Sequence, residues 1–151
     1  MTQTPASPLF VVFNRAAGRG DRDELGPAVA SACAAVGRRC ELLPVEQPGR
    51  LAETAREAVQ RAREARGAVV AAGGDGTINS VAQAVLGSGC HFGVLPRGTF
   101  NYFARTHGIP SELEGALRVL LTADAVAVQV GQINERVFLV NASLGLYSQL
   151  L

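Results

Sequence analysis

The run at residues 67–72 (GAVVAA) empties directly into Gly73-Gly74-Asp75-Gly76-Thr77, and apolar residues then recur at helical spacing from Ile78 to Leu86. A strand this uniformly apolar must be buried on both faces, which is the condition of a parallel sheet covered by helices. The rest of the chain follows the same alternation. Residues 9–13 (LFVVF) read as a first buried strand, followed by the loop 14–20 (NRAAGRG) and a helix ending near Gly37, with Asp21 as its N-cap. Residues 39–45 (RCELLPV) form a second strand. The segment 48–65 is an amphipathic helix with Leu51, Ala55, Ala58, Val59 and Ala62 on one face. Its Glu53/Arg56 and Glu57/Arg61 spacings suit intrahelical ion pairs on the wet face. A fourth strand at 91–95 leads into Pro96-Arg97-Gly98-Thr99 and a short helix reaching about Thr106. Ser111 and Glu114 then have the spacing of a capping box for one more helix.

After Asp124 the texture changes. Residues 125–131 and 136–142 are two β-rich runs around Asn134-Glu135, the pattern of an antiparallel hairpin. The expected fold class is therefore α/β, a Rossmann-like parallel sheet flanked by helices over residues 1–124. Residues 125–151 would be the start of a separate β-rich domain. At 151 residues, with 48% hydrophobic and 18% charged residues, the chain can fill a core and is not a wholly disordered one.

All 14 basic residues are arginines, which excludes a lysine-based phosphate loop and a Schiff-base lysine. A formal net charge of +1 gives no broad attraction to nucleic acid. Cys33, Cys40 and Cys90 are scattered and lack CxxC spacing, as expected of small buried residues in a reducing compartment. No secretory leader is read at residues 1–8, and no run approaches the roughly 18 apolar residues of a membrane helix. The expected localisation is cytoplasmic.

Three loops collect the candidate chemistry: 14–20, 73–77 and 96–101. Each follows a strand, so each belongs on the carboxyl edge of the sheet, where open parallel sheets bind ligands. Glycines there leave backbone N–H groups open to an anion, and a helix start adds favourable electrostatics. Asp75, in the middle of the glycines, suits a cation or a transferable proton; the alternative is a tight turn in which it caps its own helix. Thr77 and Thr99 are phosphate hydroxyl donors or helix caps. Arg15, Arg19 and Arg97 could supply positive charge, although each alone reads as a surface residue. His91 reads as structural, and His107 as a residue favouring helix C-terminal carbonyls. Phe100, Tyr102 and Phe103 read as packing residues.

Taken together, GGDGTINSV, LPRGTFNYFAR and FLVNASLGL resemble the diacylglycerol kinase catalytic domain family, which includes bacterial lipid kinases, sphingosine kinases and ceramide kinase. The resemblance covers nearly the whole chain and rests on three motifs in order. It implies an ATP-binding α/β domain followed by a β-sandwich, with the active site between them and magnesium-ATP as phosphoryl donor to a lipid hydroxyl at the membrane surface. By that match Asn14 and Gly18 fall on the first nucleotide loop, Gly73, Gly74, Asp75, Gly76, Thr77 and Asn79 on the phosphate loop, and Gly98 and Thr99 on the third. Asp75 becomes the catalytic aspartate, with a second carboxylate expected from the sandwich; metal ligands are not identified. Two positions depart from the pattern: Ser80 stands where the family has Glu, and Tyr102 where it has Asp. Family members are longer, so most of the sandwich is expected to lie outside these 151 residues. The strands after Asp124 would then pair with a second copy, as a homodimer, and the protein would be cytoplasmic or peripheral at the membrane. An NAD kinase or phosphofructokinase relative, and a nucleotide-binding module without turnover, are the alternatives.

Overall fold

The structure is a computed structural model and describes residues 6–14 and 24–140. Four parallel strands, β1 (Leu9–Asn14), β2 (Cys40–Val45), β3 (Ala68–Gly73) and β4 (His91–Pro96), form one sheet in the order β2-β1-β3-β4. Helices α1 (Leu25–Ala35), α2 (Leu51–Ala65), α3 (Asp75–Val85), α4 (Tyr102–Thr106) and α5 (Leu113–Thr122) surround it. The period of two along each strand divides the core. Phe10, Val12, Val69, Ala71 and Val94 point to the face covered by α2 and α3. Leu9, Val11, Ala68, Val70 and Leu95 point to the opposite face, covered by α1 and α5. All six residues of β3 are buried, as expected for a central strand with helices on both sides. Each fully buried Val or Leu here contributes about 1.5–3 kcal/mol relative to exposure.

The α/β class and the parallel sheet are those expected from the sequence, whereas several local details differ. The helix after the glycine loop begins at Asp75, three residues earlier than its apolar periodicity suggested. The final helix of the α/β part begins at Leu113 behind Glu112, so Ser111 lies one position too early to cap it. That offset also removes Glu114 from the reciprocal position, and Glu114 instead pairs with Arg118 along the helix. Glu53 pairs with Arg50 rather than Arg56, while Arg61 holds both Glu57 and Glu41. The proposed Asp21 cap lies outside the described residues.

The hairpin forms where expected but is shorter. Strands β5 (Gly131–Ile133) and β6 (Arg136–Phe138) pair antiparallel across Asn134-Glu135, with Asn134 in the left-handed region at φ +54°. Residues 125–130 form no strand: nothing among the described residues pairs with them, and Val126 is 78% exposed. The hairpin packs back onto α3. The Asn79 amide donates to the Val137 carbonyl at 3.0 Å and accepts from the Leu139 N–H at 3.1 Å. Gln83 accepts from the Val137 N–H at 2.7 Å and donates to the Glu135 carbonyl at 3.0 Å. These side chains take up the outer edge of β6 within the chain, and nothing among the described residues supports the expected pairing of the C-terminal strands with a second copy. Val137 is buried against α3 as a result.

Candidate active site

The strand order fixes where a ligand can enter. The connection after β1 leads to α1 on one face, whereas β3 leads to α3 on the other. The chain therefore diverges between the carboxyl ends of β1 and β3, the switch point at which open parallel sheets bind ligands. Asn14 ends β1 at this edge, half-buried, while Gly18 and the adjacent Arg15 and Arg19 lie outside the described residues. Gly73 ends β3, and Pro96 opposite it ends β4. The Arg97 N–H donates to the Gly73 carbonyl at 2.8 Å, prolonging the β3–β4 pairing into the two loops.

Absence of side chains lets those loops meet. A Cβ added to Gly98 would lie 2.5 Å from the Gly74 Cα, and one added to Gly74 would lie 3.3 Å from the Gly98 Cα. A Cβ on Gly73 would strike the Thr77 side chain, 2.7 Å from its Cβ and 2.9 Å from Oγ1. Gly76 is different: a Cβ there would meet nothing within 4 Å. Internal packing explains the first three glycines and leaves the fourth unexplained. Exposed backbone without a side chain at a helix start is what a phosphate needs to approach the N–H groups, and in that respect these residues fit a nucleotide.

Asp75 does not make the cap of its own helix that is one of the two readings from sequence. It is the first residue of α3, whose N-cap is Gly74, yet its carboxylate does not cap that helix. Oδ2 accepts the Tyr102 N–H at 3.0 Å and Oδ1 accepts the Phe103 N–H at 3.1 Å. Asp75 thus caps α4, the helix that follows the third loop, and ties the two loops together. Asn101 completes the link. It stands at φ +52°, is 7% exposed, and its Oδ1 accepts the Gly98 N–H at 2.8 Å. Asn tolerates the left-handed region better than most residues, and that is the sequence signal by which its role could have been found.

Thr77 is buried and Thr99 exposed; neither is a helix N-cap, since Gly74 and Asn101 hold those positions. Asn79 is turned towards β6 by the bonds described above and does not face the glycine loops' junction through its amide. Ser80 follows it on α3. His91 opens β4 and is exposed, and His107 ends α4 with its ring 4.5 Å from that of Phe103. Only Phe103 of the three aromatics packs inside; Phe100 and Tyr102 are 59% and 48% exposed. The cysteines are free thiols, and burial, followed by the influence of Cys40, pushes the Cys33 thiol up to about 11. Among the described residues no group of three or more His, Cys, Asp or Glu side chains is placed to hold a metal. None of their helices is long and apolar enough to cross a membrane.

Comparison with known proteins identifies the family and the fold. The sequence profile named for the diacylglycerol kinase catalytic domain matches residues 8–133. A Citrobacter koseri protein called "Probable lipid kinase YegS-like" is 41% identical over 81 residues, covering 51% of this chain and 27% of the relative. Lipid kinase YegS of Escherichia coli K12 is 40% identical over 83 residues, with the same coverage. The chain thus spans about a quarter of the length of these relatives. The crystal structure of a diacylglycerol kinase from Bacillus anthracis str. Sterne superposes with a TM-score of 0.76 at 22% identity, over 90% of this chain and 47% of that one. At that identity the likeness is one of fold.

Proposed function

The chain belongs to the diacylglycerol kinase catalytic domain family, and from that premise we propose that it is the nucleotide-binding part of a lipid kinase, transferring the γ-phosphoryl group of magnesium-ATP to a lipid hydroxyl. One observation carries the reading: the glycine loops after β3 and β4 converge at the carboxyl edge of the sheet, next to the switch point between β1 and β3, with Gly76 left open beside them. Bound ATP supplies the phosphoryl group. The backbone at Gly74, Gly76 and Gly98 would hold its phosphates, with Asn14, Gly18 and Thr99 around them and Thr77 bracing Gly73. Asp75 is kept in one orientation by its two bonds to α4, and each carboxylate oxygen retains acceptor capacity. It would orient the acceptor hydroxyl and take up its proton. A magnesium ion on nucleotide phosphates needs only one or two protein carboxylates, and Asp75 is the carboxylate of this loop. Asn79 serves as a tether to β6 rather than as a phosphate ligand.

We place the α/β domain at 1–124 and assign 125–151 to the start of a β-rich second domain that completes the lipid cleft. The exposed valines at 126, 128 and 130 support that division. A nucleotide-binding module without turnover is the second reading, favoured by Tyr102 standing where the family has Asp. Transfer of label from ATP by the full-length protein to diacylglycerol, sphingoid, ceramide and phosphatidylglycerol acceptors decides between them. Magnesium-dependent labelling of one acceptor class is expected. ATP binding without labelling of any lipid would favour the module.

A further inference from the structure

Phe100 and Tyr102 stack on each other in the open, with ring centroids 5.3 Å apart and planes 8° from parallel. The pair sits at the rim of the candidate site, because the Tyr102 N–H is the group bonded to Asp75 Oδ2. Two large exposed rings gain little by stacking in water compared with removing both from it, so the pair offers apolar area to a partner. Charge narrows the choice. From Arg97 to Ser111 the sequence has no acidic residue, and the exposed Arg105 lies three positions after Tyr102, on the same side of α4. The chain as a whole is nearly neutral, so this cationic stretch is local. Aromatic rings beside arginine, with Asp75 held by backbone N–H groups as the carboxylate next to them, match the interface of an anionic bilayer, where rings enter the headgroup boundary and guanidinium groups meet lipid phosphates.

We infer that the Phe100–Tyr102 pair with Arg105 is the point at which this domain touches the surface of an anionic membrane. This contact rests on the lipid-kinase reading for its purpose, since it would bring Asp75 close to the plane in which lipid hydroxyls lie. The test is sedimentation of the chain with vesicles of phosphatidylcholine alone and of phosphatidylcholine mixed with phosphatidylglycerol, for wild type, Phe100→Ser and Arg105→Gln. The mixed vesicles should carry down the wild-type chain more than the neutral ones do. Phe100→Ser should weaken partitioning about tenfold. Arg105→Gln should weaken it roughly fivefold, and only on the anionic vesicles at low salt. Both side chains are exposed, and unchanged thermal melting of the variants checks the fold. Wild-type protein that leaves both vesicle types in solution would overturn the proposal, as would Phe100→Ser binding like wild type. A fall in ATP affinity with unchanged vesicle binding would make the rings a platform for the nucleotide base and would equally overturn it. Lipid phosphorylation by the full-length protein is scored separately: its absence alongside intact, Phe100-dependent vesicle binding would remove the kinase reading and leave the membrane contact standing.

Discussion

Both carboxylate oxygens of Asp75 accept N–H groups from α4, so this side chain holds structure as well as being the candidate for chemistry. Asp75→Asn replaces one acceptor by a donor facing an N–H group. It is expected to cost about 1–3 kcal/mol of stability, besides removing phosphoryl transfer in the full-length protein. Urea unfolding checks the first effect; wild-type stability would mean that α4 does not depend on this cap. Gly98→Ala drives a methyl group against the Gly74 backbone at 2.5 Å, and flexible side chains cannot relieve a backbone contact. It should therefore destabilise the chain more than Gly74→Ala, where the approach is 3.3 Å, and differential melting of the two variants tests the order. Cys33 gives a pH dependence. Burial raises its pKa from 9.0 to about 11, so between those values the unfolded chain loses the thiol proton before the folded one does. The native state then binds more protons, and stability falls as pH rises through that window, being fully present below it. Unfolding midpoints measured across the window should drop for wild type and drop less for Cys33→Ala.

At the scale of elements, α3 joins the glycine loop at its start to the hairpin along its length. The variant Asn79→Ala/Gln83→Ala removes all four side-chain bonds to the hairpin. Hydrogen exchange at Val137 and Leu139 should then accelerate strongly, while β1 and β3 keep their protection. Unchanged exchange at those two amides would show that apolar packing of Val137 alone docks the hairpin. The sequence made the strands legible because β1, β3 and β4 are continuous apolar runs, and composition alone demands that such runs be covered on both faces. It made the hairpin legible through Asn134, which takes the left-handed turn. Segment 125–130 misled because alternating valines satisfy the strand pattern, whereas a strand exists only where another backbone pairs with it. The cap of α4 was invisible for a related reason: its carboxylate comes from a residue 27 positions away, beyond any local spacing rule. The closing of the β6 edge by Asn79 and Gln83 is long-range in the same sense.

Over the whole molecule, a four-stranded sheet with helices on both faces diverges between β1 and β3, and three glycine-bearing loops follow strands that end at that edge. Their family resemblance was legible from motif order, whereas the division of labour among the glycines required coordinates. Gly74 and Gly98 are needed for the loops to fit each other and Gly73 for Thr77 to pack, but Gly76 is needed for neither. A glycine in the first turn of α3 without a packing reason costs up to about 1 kcal/mol relative to alanine, and a ligand approaching the backbone is the reason the account assigns to it. Calorimetric titration of magnesium-ATP into the wild-type chain and into Gly76→Val therefore tests the central claim most directly. Measurable, weak binding to wild type is expected, with affinity lowered about tenfold or more in Gly76→Val and a melting temperature that is unchanged or raised. Equal affinity in the two proteins would contradict the phosphate cradle.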